Sequence, residues 1–174
     1  AGPAAIGSST KVGAETRIDA RVEDLATGRV LVADSVRGTD VFVLVDRLTA
    51  SIQRGIGVGQ TAVVRSIADV STSSLEAYRA YVAGTEARNN FRFEDARIFL
   101  DQAVAIDSGF AEAHLELAVV SNALGRSDSG IEHLRNAAEH RDRLGERERL
   151  LLEIESARAN KDFSEAARAL DRLV

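Results

Sequence analysis

The second half of the chain contains one pattern three times, and this repeat constrains the fold more than any other feature. Its four columns recur after 34 and then 36 residues: Gly84, Ala118 and Ile154; Phe93, Ser127 and Phe163; Ala96, Gly130 and Ala166; Leu100, Leu134 and Leu170. Small residues let two helices cross closely, and a large apolar residue one turn later fills the space beside the crossing. A repeat of this length predicts stacked helix pairs.

The pattern predicts helix pairs at 74–89 with 93–106, 110–124 with 127–140, and 146–160 with 163–174. Ser73 and Glu76 match a capping box at the start of the first helix, and Gly125 is suited to end a helix. Asp162 and Glu165 are expected to cap the last helix. Two further small residues are expected at helix crossings, Ala103 and Ala137. The leucines expected to fill the space between helix turns are Leu100, Leu117, Leu134 and Leu170.

The first 70 residues have a different periodicity. Residues 16–24 alternate between apolar and charged side chains, and residues 26–28 supply a turn, so residues 16–37 are predicted to form a β-hairpin. A weaker strand from Ile6 to Val12 completes a three-stranded meander. From Thr39, the expected N-cap, a helical stripe follows: Val41, Leu44, Val45, Leu48, Ile52 and Ile56. Gly55, Gly57 and Gly59 are expected to stop this helix.

These periodicities predict an α+β protein: a small antiparallel β-meander with one helix at 1–70, followed by an all-α array of about three helix pairs at 71–174. The first segment has few strands with which to close a core, and the chain lacks Met and ends within a helical pattern. We therefore expect a piece of a longer polypeptide, with a partial first domain and a truncated last helix pair.

Composition excludes several classes of function. Residues 1–70 carry 8 Lys or Arg and 8 Asp or Glu, whereas residues 71–174 carry 14 and 19, so neither part has the basic excess that nucleic acid binding requires. The chain has no apolar run of membrane-spanning length. It also has no Cys, which removes thiol catalysis and cysteine-based zinc sites but leaves the compartment open.

The repeated segment, residues 74–174, resembles the tetratricopeptide family, although Ala80 replaces a common Trp and Ile154 stands in a small column. RIDARVEDLATG at residues 17–28 is similar to the last hairpin of the TolB-like amino-terminal module of bacterial signalling proteins. SSLEAYRAY at 73–81, and RDRL and ERER at 141–144 and 146–149, are similar to regions that follow the kinase domain of bacterial eukaryotic-like serine/threonine kinases. Related regions also follow winged-helix regulators and adenylate cyclases. The resemblance implies a bacterial signalling context, on either side of a membrane that anchors the parent protein, with any kinase domain outside this chain.

Motifs that could support catalysis lack their partners. His140-Arg141-Asp142 has the sequence of a kinase catalytic loop, but Arg147 stands where the magnesium-binding Asn belongs, and we expect an exposed turn between helices. The glycines at 55–59 close a helix instead of opening one, which disfavours phosphate binding. His133 and His140 can share a helical face but lack the further ligands that zinc needs. No cofactor is expected.

The remaining candidate site is the concave face of the array, formed by the first helix of each pair. Its predicted residues are Tyr78, Tyr81, Thr85, Arg88, Glu112, Leu115, Val119, Asn122, Glu148, Leu151, Glu155 and Arg158. Aromatic, amide and Arg side chains on such a surface suit an extended peptide. The sequence therefore predicts a non-catalytic fragment that binds a protein or peptide partner. Two alternatives stay open: a structural spacer, or a small enzyme that uses the Glu- and Arg-rich third repeat and would need a closed pocket with a shifted carboxylate.

Overall fold

A computed structural model of the 174-residue chain describes residues 3–57 and 71–173. Within these residues a three-stranded antiparallel sheet precedes seven α-helices, which confirms the predicted α+β class with a helical array. The chain divides into two compact units, Ala1–Ile67 and Ala68–Val174.

The strands of the first unit follow one another as a meander. They are β1 (Pro3–Val12), β2 (Glu15–Asp24) and β3 (Arg29–Gly38), in the order β1-β2-β3. The two turns contain Gly13 and Gly28 at φ values of 66° and 67°, which a residue with a Cβ adopts at a cost. The predicted hairpin and its turn at residues 26–28 are therefore confirmed, and the first strand is longer than the sequence indicates.

One helix, α1 (Val41–Gly55), packs on β3 and β2. Leu44 and Leu48 from the predicted stripe are buried, together with Phe42 and Val22. The N-cap is Asp40 and not the predicted Thr39, because the Asp40 carboxylate accepts hydrogen bonds from the backbone N–H groups of Phe42 and Val43. Of the predicted stop signals, Gly57 has φ 72°, and Gly59 lies outside the described residues.

The described part of the second unit, residues 71–173, contains three helix pairs. Their bounds are α2 (Leu75–Asn89) and α3 (Phe93–Ile106), α4 (Ala111–Ala123) and α5 (Ser127–Glu139), and α6 (Glu146–Ala159) and α7 (Phe163–Leu173). A short 3₁₀ turn, Arg141–Arg143, precedes α6. The N-cap of α2 is Ser74, whose Oγ accepts from Ala77 N at 3.2 Å, so the predicted cap at Ser73 is wrong by one residue. The predicted cap at Asp162 is confirmed, since its carboxylate accepts from Glu165 N at 3.0 Å.

The first helix of every pair ends in the same way. The second residue after each helix end, which follows the C-cap residue, has a left-handed φ: 58° at Phe91, 74° at Gly125 and 60° at Lys161. In each case the next backbone N–H reaches back five residues, as from Arg126 N to Ser121 O at 2.8 Å. This is the Schellman cap, and its threefold recurrence follows the spacing of the sequence repeat.

Small residues lie where the paired helices cross. A Cβ added to Gly84 would approach Leu100 Cγ to 2.6 Å, and one added to Gly130 would lie 3.3 Å from Ala118 O. Leu100, Leu117 and Leu134 are buried as predicted. Leu170 is not buried: 51% of its surface is exposed. It lies on α7, the last described helix, and no further described helix packs against it.

Candidate functional site

The candidate face is the surface carried by α2, α4 and α6, which we call the first-helix face. The structure brings its residues from α2 and α4 together. Arg88 Nε of α2 lies 3.1 Å from the Glu116 carboxylate of α4, close enough for an ion pair but not aligned for a hydrogen bond. The centroid of the Tyr81 ring lies 5.0 Å from that of Phe110, at the start of α4, and 6.1 Å from that of Tyr78. Both tyrosines are half-buried against the hydrophobic core.

The Glu112 carboxylate of α4 is close enough to Glu116 of the same helix and to Glu148 of α6 to be influenced by their charges. Burial raises the pKa of Glu112, Glu148 raises it further, and a hydrogen bond from Ser71 Oγ at 2.9 Å partly offsets both effects. Burial also raises the pKa of Glu116, against the opposing charges of Arg88 and Arg147. Burial therefore disfavours the charged forms of Glu112 and Glu116 more than their partners favour them.

The phenol of Tyr81 responds to the same surroundings. Burial raises its pKa, and the negative charges of Glu112 and Glu116 raise it further. The phenol therefore stays neutral at physiological pH and keeps its O–H as a hydrogen-bond donor.

Three of the residues predicted for this face are buried or half-buried and contribute to packing. Leu115 is buried in the core of the second and third pairs, and Leu151 is partly buried against that core. Thr85 is half-buried, and its hydroxyl donates to Val82 O at 2.9 Å within α2. These three side chains shape the face more than they offer contacts to a partner.

The remaining predicted residues border a cleft between the second and third helix pairs. The cleft has a volume of about 740 Å³, within the range typical of ligand sites. Val119 and Asn122 of α4 and Glu155 and Arg158 of α6 line it. The other lining residues, which the sequence did not single out, are Ala123, Ser127, Ile131, Ala159, Lys161 and Phe163. Arg158 Nη1 donates to Glu155 Oε1 at 3.0 Å across one turn of α6.

A partly buried cluster of polar groups supports the start of the second unit, and we call it the polar clamp. Arg143 donates to Ser71 O at 2.6 Å, to Gly109 O at 2.7 Å and to the Asp107 carboxylate at 3.0 Å. Thr72 Oγ1 donates to the same carboxylate at 2.7 Å. Burial alone would raise the pKa of Asp107, but the bonds from Arg143 and Thr72 outweigh it, and the pKa lies below its ordinary value. These groups already satisfy one another, so the clamp positions helices and offers little to a ligand.

A histidine pair joins α4 to α5. His114 and His133 have Nδ1 atoms 3.2 Å apart, and His114 Nε2 lies 3.0 Å from Ser108 O. If His114 donates through Nε2, its Nδ1 accepts from His133 Nδ1–H, and this arrangement is compatible with the neutral forms of both rings. The sequence paired His133 with His140 by helical spacing, whereas the structure pairs it with His114. Within residues 3–57 and 71–173, no group of three or more His, Cys, Asp or Glu side chains is placed to hold a metal ion.

Neither the His140-Arg141-Asp142 tripeptide nor the surface of the sheet is a stronger candidate for a functional site. Arg141 and Asp142 are exposed at the 3₁₀ turn between α5 and α6, as predicted for that tripeptide. A shallow concavity of about 580 Å³ also lies on the sheet. Its carboxylates are already engaged: Asp19 accepts from Arg17 at 2.7 Å and Asp34 from Ser35 N at 2.7 Å. The first-helix face is therefore the stronger candidate.

Comparison with known proteins identifies no relative: no protein-family model, curated protein or solved structure matches this chain. In the described part of the chain, none of the helices combines the length and apolar character needed to cross a membrane.

Proposed function

We propose that residues 71–173 form a tetratricopeptide-like array that binds an extended peptide segment of a protein partner on the first-helix face. The observation that carries this proposal is the continuity of polar and aromatic side chains across the three first helices. Tyr81 and Arg88 of α2 contact α4 residues, and the cleft then joins Asn122 of α4 to Arg158 of α6. A surface of this kind offers aromatic contact area together with hydrogen-bonding groups.

Binding accounts for this face better than catalysis does. Glu112 and Glu116, the carboxylates with raised pKa, lie on α4 and not in the Glu- and Arg-rich third repeat that the enzyme alternative needs. Each also has a protein partner, Ser71 or Arg88. On the resemblance of residues 17–28, 73–81, 141–144 and 146–149, we further propose that the fragment works within a larger bacterial signalling protein, such as a serine/threonine kinase.

Selection of peptides from a random displayed library, followed by mapping of bound peptide by NMR, tests the proposal. We expect peptides that perturb the amide signals of Tyr78, Glu148 and Arg158. A matched pair of variants locates the site: Arg158→Ala should weaken binding, whereas Arg135→Ala, at an exposed position of α5, should not. Failure to select any peptide would favour the structural spacer, and perturbations confined to α3, α5 and α7 would place the site elsewhere.

A further inference from the structure

A difference in residue size between the sequence repeats explains the cleft between the second and third helix pairs. At the junction of the first and second pairs, Phe93 and Leu124 pack against the core. The repeat intervals of 34 and 36 residues place Ser127 and Asn160 at the corresponding positions of the next junction. A hydroxyl and an amide thus replace two large apolar side chains, and Ser127, the smaller of the two, lines the cleft that is left at this junction.

The walls of the cleft combine apolar surface with cationic groups. Phe163 is 70% exposed and Ile131 is 42% exposed, although both are large apolar side chains at helix positions that face the cleft. The charged lining residues are Arg158 and Lys161 against Glu155, a local net charge of +1 in a chain whose net charge is −5. Glu155 is largely shielded, with 15% of its side chain exposed, whereas Arg158 is 62% exposed.

The guanidinium of Arg158 has capacity for a second partner. It has five N–H donors, and its bond to Glu155 uses Nη1. Lys161 is exposed on the neighbouring turn, so two cations lie beside the apolar side chains of the cleft. This arrangement complements an apolar group with a negative charge next to it.

We infer that the cleft binds a peptide segment of the partner in which one large apolar side chain stands next to an acidic residue. The apolar side chain occupies the space beside Ser127, Ile131 and Phe163, and the carboxylate pairs with Arg158 or Lys161. This inference rests on the proposed function and adds the chemical character of the segment that is bound.

A panel of synthetic eight-residue peptides tests the inference by fluorescence anisotropy. The ends are acetylated and amidated so that no terminal charge contributes, the central residue is Leu, Phe or Ser, and its neighbours are Asp, Asn or Lys. We expect the Leu-Asp and Phe-Asp peptides to bind about tenfold more tightly than the Lys peptides, with the preference reduced at high salt. Equal or tighter binding of the Lys peptides would overturn the inference.

Two variants connect the binding to the cleft. Ser127→Phe fills the cleft with a residue that the chain itself uses in this column at Phe93 and Phe163, so the fold should persist, as a circular dichroism melt can verify. It should weaken binding of the Asp peptides by about tenfold or more. Lys161→Glu should reduce the preference for Asp, whereas Arg135→Glu, the same charge change at an exposed position outside the cleft lining, should retain most of it.

The outcomes separate this inference from the proposed function. Peptide binding that survives Ser127→Phe, but is lost when Tyr78 is replaced by Ala, would overturn the cleft assignment and leave the first-helix face as a binding surface. If no member of the panel binds, the inference is wrong, and the library selection decides the proposed function independently.

Discussion

Single small residues allow the paired helices to pack at a short distance. Ala96 is fully buried, and its backbone carbonyl lies 3.3 Å from the position that a Cβ on Gly84 would occupy. Helix axes can approach this closely only where a side chain is absent or consists of one methyl group. The residue at such a crossing therefore sets the distance between two helices.

Ala96→Leu is expected to destabilise the second unit by about 1–3 kcal/mol, because the larger side chain separates α2 from α3 or takes a strained rotamer. Ala105→Leu, at an exposed position of the same helix, adds the same atoms without this conflict and serves as control. Thermal or urea unfolding measures both. Equal midpoints for the two variants would show that the crossing tolerates the added volume.

The left-handed residues after the first helices offer a second test at this scale. Phe91, at φ 58°, is strained as a residue with a Cβ, and its side chain is 80% exposed, so little packing is lost on replacement. Phe91→Gly should stabilise the second unit by about 0.5 to 1 kcal/mol, because glycine adopts this φ without strain. Gly125→Ala should destabilise the unit by about 1 kcal/mol for the opposite reason. Urea unfolding of the two variants should shift in opposite directions, and a loss of stability in both would show that Phe91 contributes more through packing than it costs in strain.

Residue patterns could indicate the first-helix face but not its pairings. Glu116 lies one turn after Glu112 and could have been included by helical spacing, yet its partner Arg88 is on another helix. The contact between His114 and His133 likewise depends on the orientation of two helices. Spacing within one helix identifies which residues share a face, whereas contacts between helices require the crossing geometry.

At the scale of elements, the periodicity of small and large residues predicts the helices well. All six helix bounds in the second unit lie within one residue of the predicted ones. The caps are harder, because Ser73 and Ser74 are adjacent and either can accept a hydrogen bond from the first turn. Local chain direction decides between them: Ser74 is the N-cap, in an extended conformation at φ −95° and ψ 112°.

We expect the contact between His114 and His133 to make the association of α4 with α5 dependent on pH. Burial lowers the pKa of both His114 and His133 below the ordinary value of 6.5. The unfolded state therefore binds more protons as the pH falls through 6.5, so the stability that the neutral pair contributes is present above that pH and is lost below it. Charged and titratable groups that influence the pair are Asp101, Asp107, Glu132 and His140.

Replacement of both histidines by Gln should flatten the fall in unfolding free energy between pH 7 and 5, because Gln can form hydrogen bonds but does not titrate. Urea unfolding at several pH values measures this slope. Glu112 and Glu116 act in the opposite sense, since their raised pKa favours the folded state at low pH, but they are present in both proteins and cancel in the comparison. An unchanged slope in the double variant would assign the acid sensitivity to other groups.

At the scale of the whole molecule, the two units bury very different cores. In the described part of the first unit, four apolar side chains are buried: Val22, Phe42, Leu44 and Leu48. Both β1 and β3 are edge strands of a three-stranded sheet. The second unit instead has two buried clusters that continue from pair to pair. A small core with open edges is prone to association, whereas a stacked array distributes its stability over neighbouring pairs.

We therefore expect residues 1–70 expressed alone to associate or unfold, and residues 71–174 alone to remain a helical monomer. Within the second unit, α7 should exchange its amide hydrogens fastest, because it packs mainly on α6 and leaves Leu170 half exposed. Hydrogen exchange and sedimentation of each fragment provide the measurement, with the full chain as reference. Strong, concentration-independent protection throughout residues 3–57 would show that the sheet and α1 form a sufficient core, and protection of α7 equal to that of α4 would contradict the expected gradient along the array.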